Sequence, residues 1–285
     1  MSRRGFVLLT VLWVVAALAA VAGLTLVVAR TGAETTSNRG ALTRGGWARE
    51  ACVEILLAKY ARDPAIRTLD TIDLGRGTWC RAEVSDPAAR LDLNEASPEA
   101  LRRLIRNDSL TDALLDWRDA DHLERPLGVE AAWYRAANRR APRNGPLAAI
   151  EELRLVRGFD GARVAAVADL LTVDGIGMVN LNAAPREVLE TLPGLGPEGV
   201  SVVLARRAAG ETLQGSDHLA SLLSPPARVA LLRDYQEFTR RAVYAPSRFV
   251  ATVEGGVKGM APFSRATITM IPAAGRLAVI RRRTE

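Results

Sequence analysis

The chain has 285 residues, 48% hydrophobic and 25% charged. That composition excludes a disordered or collagen-like polypeptide and allows one large domain or two modest ones. The net charge of +6 comes from 38 basic and 32 acidic residues, with Lys59 and Lys258 the only lysines. Two cysteines exclude a disulfide-dense scaffold and a cysteine-rich zinc module, and two histidines, His122 and His218, thin out most catalytic constellations.

Arg3 and Arg4 precede 24 uncharged residues, 6–29. As a helix at about 1.5 Å per residue this run reaches roughly 36 Å, enough for a hydrocarbon core of about 30 Å. The positive-inside rule puts Met1 in the cytoplasm and the rest of the chain across the membrane. A secretory signal peptide would have a shorter apolar core followed by a small-residue cleavage site, and no clear site ends this run. A plain single-pass anchor is the simpler alternative. The junction Arg4-Gly5-Phe6 before an unbroken apolar run resembles the class III leader of type IV pilins and pseudopilins. The resemblance implies that a prepilin peptidase cuts after Gly5 and methylates Phe6. It also exposes a departure: the glutamate usual five places into the mature chain is Thr10 here. In that family the carboxylate is thought to neutralise a neighbour's terminal ammonium. A subunit without it suits a place with no neighbour above, and its loss marks the K subunit of type II secretion.

Beyond Arg30 the sequence turns polar, and Gly40, Gly45 and Gly46 are expected to loosen the helix. Helical spacing returns over 47–60 with Ala48, Cys52, Ile55 and Leu56 on one face, and Asp63-Pro64 ends it. Alternation over 78–84 predicts a strand. Residues 91–235 read as helical and contain a repeat: Leu93-Asn94-Glu95-Ala96 through Leu104 aligns with Leu181-Asn182-Ala183-Ala184 through Leu192 at a constant offset. Each copy opens on a cap-like Asn/Ser/Pro segment, continues into a leucine-bearing helix, and is followed by a second helix at 113–119 or 201–207. Strands return at 248–253, 265–271 and 277–282, with turns expected at Gly255-Gly256 and at Ala273-Ala274-Gly275.

This order reads as an α+β fold: a pilin-like N-terminal helix packed on an antiparallel sheet, interrupted by a large inserted all-α domain with helix-hairpin-helix-like repeats. The expected divisions are a leader 1–5, a transmembrane or filament-core helix 6–29, pilin-like parts 30–90 and 236–285, and the insert 91–235. The layout resembles the type II secretion K subunit, as do Leu114-Leu115-Asp116-Trp117-Arg118-Asp119, Tyr134-Arg135-Ala136-Ala137-Asn138 and Val179-Asn180-Leu181-Asn182. The segment between Tyr134 and Glu151 departs from the longer connection usual in that family.

Leu192-Pro193-Gly194-Leu195-Gly196-Pro197 reads as the hairpin of a helix-hairpin-helix module, whose backbone amides approach phosphate in nucleic-acid proteins. The block 91–235, however, holds 17 Arg against 21 Asp plus Glu, a net −4 with no lysine. A phosphate-binding module is expected to be basic, so no nucleic acid is expected as partner and a compact helix-packing hairpin is favoured. The alternative function carried alongside is a membrane-anchored helix-hairpin-helix DNA receptor for uptake.

Carboxylates accumulate at Asp112, Asp116, Asp119, Asp121, Glu124 and Glu130. Like charges at i, i+4 cost about 0.2–0.5 kcal/mol per pair, a sign that a hard, oxygen-seeking cation would reverse. Asp116, Asp119, Asp121 and Glu130 are the candidate calcium ligands; a solvated acidic face, partly paired with Arg118 and Arg125, is the alternative. Some K subunits hold structural calcium in the insert. His122 lies beside acids without a nucleophile at recognisable spacing, and no Walker or dinucleotide glycine motif occurs, so no enzymatic activity is expected. Across an inner membrane the compartment is oxidising, so Cys52 and Cys80 form either a disulfide or two buried free thiols.

The expected role is a minor pseudopilin at the tip of a type II secretion pseudopilus. It would nucleate assembly with I- and J-type minor pseudopilins and support export of folded proteins. The expected location is the bacterial inner membrane, single-pass, with the globular part in the periplasm, where the partners also include prepilin peptidase and the inner-membrane secretion assembly.

Overall fold

The computed structural model describes residues 3–260, 263–273 and 275–284, with side chains from residue 11 onward. The junction Gly5–Phe6 and Thr10 therefore fall among residues whose side chains lie outside the description.

Helix α1 runs unbroken over Arg3–Tyr60. The expected loosening near Gly40 does not occur. The polar middle of the helix satisfies itself locally: the Thr31, Thr35, Thr36 and Thr43 hydroxyls donate to the carbonyls of Val27, Thr31, Gly32 and Arg39, and Arg30 pairs with Glu34 one turn on. Residues 11–40 are exposed throughout. From Ala41 a buried stripe begins and passes through Gly45, Ala48, Cys52, Leu56 and Tyr60, the spacing of one helix face.

The chain then forms strands β1 (Thr68–Gly75) and β2 (Thr78–Ser85), paired antiparallel with Leu69 opposite Ala82. The helical block follows: β3 (Leu91–Asp92), α2 (Pro98–Ile105), α3 (Asp108–Arg118), α4 (Ala131–Ala136), α5 (Gly161–Ala168), β4 (Leu171–Thr172), β5 (Val179–Asn180), α6 (Arg186–Leu189), α7 (Gly196–Ala208), α8 (Ser216–Leu222), α9 (Pro225–Arg233), α10 (Tyr235–Arg241) and β6 (Ala242–Val243). Strands β7 (Phe249–Val257), β8 (Phe263–Ala273) and β9 (Arg276–Thr284) complete a five-stranded sheet of order β1-β2-β7-β8-β9. The fold is α+β, a long N-terminal helix with an antiparallel sheet and many helices.

The chain divides into two compact units, 1–83 with 251–268 and 282–285, and 84–250 with 269–281. In the first, Cys80 and Ala82 of β2 are buried while Arg81 and Glu83 face out. Gly255 and Gly256 lie inside β7 and form no turn. The reason is distance: a Cβ on Gly45 of α1 would sit 2.7 Å from the Gly255 carbonyl oxygen, and one on Gly256 would meet the Trp79 ring at 2.8 Å. Glycine there lets helix and strand backbones approach closely. On the outward face Glu254, almost fully buried, accepts from Arg81 at 2.5 Å and from Arg265 at 2.8 Å.

The second unit is built on the repeat. Asn94 donates to the Leu147 carbonyl at 3.1 Å and accepts from the Leu147 amide at 2.7 Å. Asn182 does the same to Leu213, at 2.9 Å each way. Asp92 and Asn180, both buried, each accept from the backbone amide two residues on. Each copy closes with a short parallel pairing, β3 with β4 and β5 with β6. Arg118 donates to the carbonyls of Leu93 and Ala96, and Arg207 to those of Ala183 and Ala184. Fully buried Leu101, Leu114, Leu181, Leu189 and Leu195 carry the shared core, with Trp117, Tyr134 and Phe238 the bulkiest members. The helices run on through α10, past the expected boundary at 235.

Candidate functional site: an acidic group between two helices

Helix α3 starts on Asn107, whose side chain accepts from the Leu110 amide, and ends at Arg118. Asp119 is extended, with ψ at 167°, so the expected carboxylate face of Asp112, Asp116 and Asp119 is cut after its second member. Those two members are buried in α3 and already have partners. Asp112 pairs with Arg102 at 2.9 Å. Asp116 accepts from Arg125 twice, at 2.6 Å from the guanidinium and 3.2 Å from the backbone amide. The same guanidinium reaches Asp119. Gly128 lets the returning loop pass, because a Cβ there would overlap the Asp116 carboxylate. Burial pushes the Asp116 carboxyl above its ordinary range, and the hydrogen bonds from Arg125 work against that shift.

The loop then delivers two more carboxylates. Asp121 is exposed and accepts from the Leu123 amide at 2.8 Å, and its own carbonyl accepts from Asn144 at 2.7 Å. Glu130 is buried at the start of α4, where it caps the Ala131 amide at 3.3 Å. Ligand oxygens of Asp119, Asp121 and Glu130 lie within 4.8 Å of one another. Asp119 Oδ1 and Glu130 Oε1 are buried without a hydrogen-bond partner. Burial pushes the Glu130 carboxyl up, and the charges of Asp116 and Asp119 add to it. Unpartnered buried carboxylate oxygens cost free energy unless something positive meets them. The donor set is all oxygen, the kind a hard cation prefers.

Of the four expected ligands, three thus converge. Asp116 stands behind them and fixes Arg125. Arg125 was legible only as a general neutraliser of the acidic run; that it spans Asp116 and Asp119 depends on a loop reversal no local pattern announces. An aromatic wall holds the two helices. Trp117 meets Tyr134 edge-on at 5.3 Å and donates to Glu152 at 3.1 Å, while the Tyr134 hydroxyl accepts from the Arg157 amide at 2.9 Å.

The other features singled out in the sequence have local roles. In the hairpin after α6, Gly194 has φ of +71° and its missing Cβ would press on Ala230, Leu231 and Asp234, so this glycine is packed beneath α9. The first copy places Arg106 at the corresponding left-handed position, φ +54°. His122 pairs with Asn144 at 2.9 Å, and His218 accepts from the Gln214 amide at 3.4 Å. Cys52 and Cys80 are both fully buried thiols. The part of α1 described from Val11 onward contains an apolar window of mean hydropathy 2.6, none of it buried, long enough to cross a membrane.

Residues 87–174 match the family model of type II secretion system (T2SS), protein K. This stretch holds the whole first copy of the repeat and the acidic group. No curated protein matches the chain. Among solved structures, the chain is similar to one chain of the crystal structure of the GspK-GspI-GspJ complex from the enterotoxigenic Escherichia coli type 2 secretion system. The identity is 15%, the TM-score 0.64, and the likeness covers 90% of this chain and 98% of that one.

Proposed function

We propose that this chain is a K-type protein of a type II secretion system, the family whose model residues 87–174 match, and that it works by assembly, as a minor pseudopilin at the tip of a pseudopilus. The observation that carries the reading is α1: residues 11–40 have nothing of their own chain around them, while the stripe from Ala41 onward is packed. A helix so divided needs a second environment for its apolar half. Before assembly that environment is the inner membrane, with the globular part in the periplasm; afterwards it is the helical core of a filament. Prepilin peptidase cleaves between Gly5 and Phe6 and methylates Phe6. Thr10 offers no carboxylate to a subunit above, and the large helical block fits a tip better than a shaft. The likeness to a chain solved with GspI and GspJ supports I- and J-type minor pseudopilins as the partners, which together start assembly and support export.

The acidic group serves that role as a structural clamp. Asp119, Asp121 and Glu130 hold calcium, which neutralises carboxylates that otherwise repel, and Asp116 positions Arg125 against Asp119. The cation fastens the end of α3 to the start of α4.

The deciding experiment is co-purification of the full-length chain, solubilised in mild detergent, with I- and J-type subunits from the same secretion system. A stable ternary complex is expected. A chain that elutes alone in the presence of both, or that binds duplex DNA at micromolar affinity with the salt dependence of phosphate contacts, overturns the reading.

A further inference from the structure

Cys52 and Cys80 come from elements far apart in construction, one on the packed stripe of α1 and one on the inward face of β2, and both are fully buried. Helix α1 packs on β7, the strand next to β2 in the sheet: a Cβ on Gly255 would meet the backbone of Gly45, Ala48 and Arg49, and Cys52 lies one turn past Ala48 on the same buried stripe. Their neighbours Val53, Leu56 and Ala82 are buried apolar side chains. Neither cysteine belongs to the acidic group that could hold a cation. Two buried thiols on packed elements of a chain placed in an oxidising compartment are positioned for oxidation to each other.

We propose that Cys52 and Cys80 are a modification site, joined in the mature protein as a disulfide that bolts the packed half of α1 to the sheet. The inference rests on the periplasmic placement argued above, which supplies the oxidant class, a protein or small-molecule disulfide. One cysteine thiolate attacks a sulfur of that disulfide and forms a mixed disulfide, releasing one oxidant thiolate. The second cysteine thiolate then displaces the other. Two electrons pass to the oxidant, and the two protons lost by the cysteines are taken up by its thiols.

Timing follows from burial. Burial drives the Cys52 thiol far up, with the Cys80 thiol adding to the shift, and burial also raises Cys80. Thiolate is therefore scarce once α1 has packed, and exchange belongs to the folding chain. After folding, the bond is shielded from reductant. Because it closes the loop 53–79 in the unfolded chain, it stabilises chiefly by restricting that state.

The test uses the full-length chain made in cells that export it, with an alkaline phosphatase fused at the C-terminus to report which side of the membrane it occupies. Membranes are denatured in N-ethylmaleimide without reductant, and adducts on the peptides that carry Cys52 and Cys80 are counted by mass after digestion. No adduct is expected, and two after prior reduction. Two adducts on a chain whose fused phosphatase is active overturn the disulfide and leave the placement standing. Two adducts with an inactive phosphatase overturn the placement. Purified chain refolded with oxidised glutathione then decides the pairing: a bridge supports it and free thiols overturn it. Reductant added during unfolding is expected to lower the melting temperature of the native chain by about 10 °C. The Cys52→Ala/Cys80→Ala variant is expected not to respond to reductant at all.

Discussion

Two carboxylates show how one residue type is put to opposite uses. Glu254 is buried between two guanidiniums. Burial works to raise its carboxyl, but hydrogen bonds from Arg81 and Arg265 outweigh it and hold the group below its ordinary value. Because the folded carboxyl ionises more readily than the unfolded one, the triad contributes stability above the ordinary carboxylate range and loses it as pH falls through the folded value. Glu254→Gln is therefore expected to destabilise at neutral pH and to flatten the acid limb of a pH-melting profile; an unchanged limb would show that the triad contributes nothing. Glu130 is the reverse case, a buried carboxylate with one oxygen left over. If calcium takes that oxygen, binding to the folded state alone contributes about 2.7 kcal/mol at a hundredfold excess over the dissociation constant. That corresponds to a rise of about 5–10 °C in melting temperature. Magnesium, which demands octahedral geometry and sheds water reluctantly, should do less. Asp119→Ala with Asp121→Ala should abolish the rise. A chelator-stripped protein whose melting curve ignores millimolar calcium would reduce the acidic group to a solvated face.

Elements meet where side chains are absent as well as where they are present. The approach of α1 to β7 is set by Gly45 and Gly255, each occupying space the other's Cβ would need. Gly255→Ala is expected to cost about 1–3 kcal/mol, since the atoms in the way are backbone and an overpacked contact has nothing soft to move. Gly46 is one residue away in the same helix and faces open space. Gly46→Ala should therefore stabilise by about 0.5–1 kcal/mol, the difference in helix propensity and unfolded-state freedom. Denaturant melts of the two variants give the comparison, and equal effects would remove close packing as the explanation. The pair also shows where reading the sequence stops. Gly255-Gly256 looks like a turn because adjacent glycines usually punctuate strands; only the helix lying against them turns them into a strand interior. By contrast β2 was legible at 78–84, because Cys80, Ala82 and Val84 alternate with charged neighbours and burial needs nothing more.

At the scale of the molecule, the repeated Leu-Asn openings were visible in the sequence as a duplication, but their purpose was not. Each asparagine brackets the backbone of a leucine well over twenty residues downstream, Leu147 or Leu213, a pairing no local window contains. The site was half legible for the same reason. Three of four ligand candidates converge, while Asp116 was drawn in by a helical periodicity that stops at Arg118. The two copies share a frame yet differ in chemistry: the acidic group lies between α3 and α4 in the first, and among the described residues no second group of this kind occurs. Calcium should therefore tighten one copy and leave the other. Local opening is suppressed only where a ligand's bonds must break for the segment to open. Hydrogen exchange of the full-length chain is expected to slow on adding calcium across 108–136, which joins α3 to α4, with little change across 181–243. Uniform slowing of both copies would mean that the cation acts through global stability rather than through this clamp, and slowing confined to 181–243 would put the site in the wrong half of the duplication.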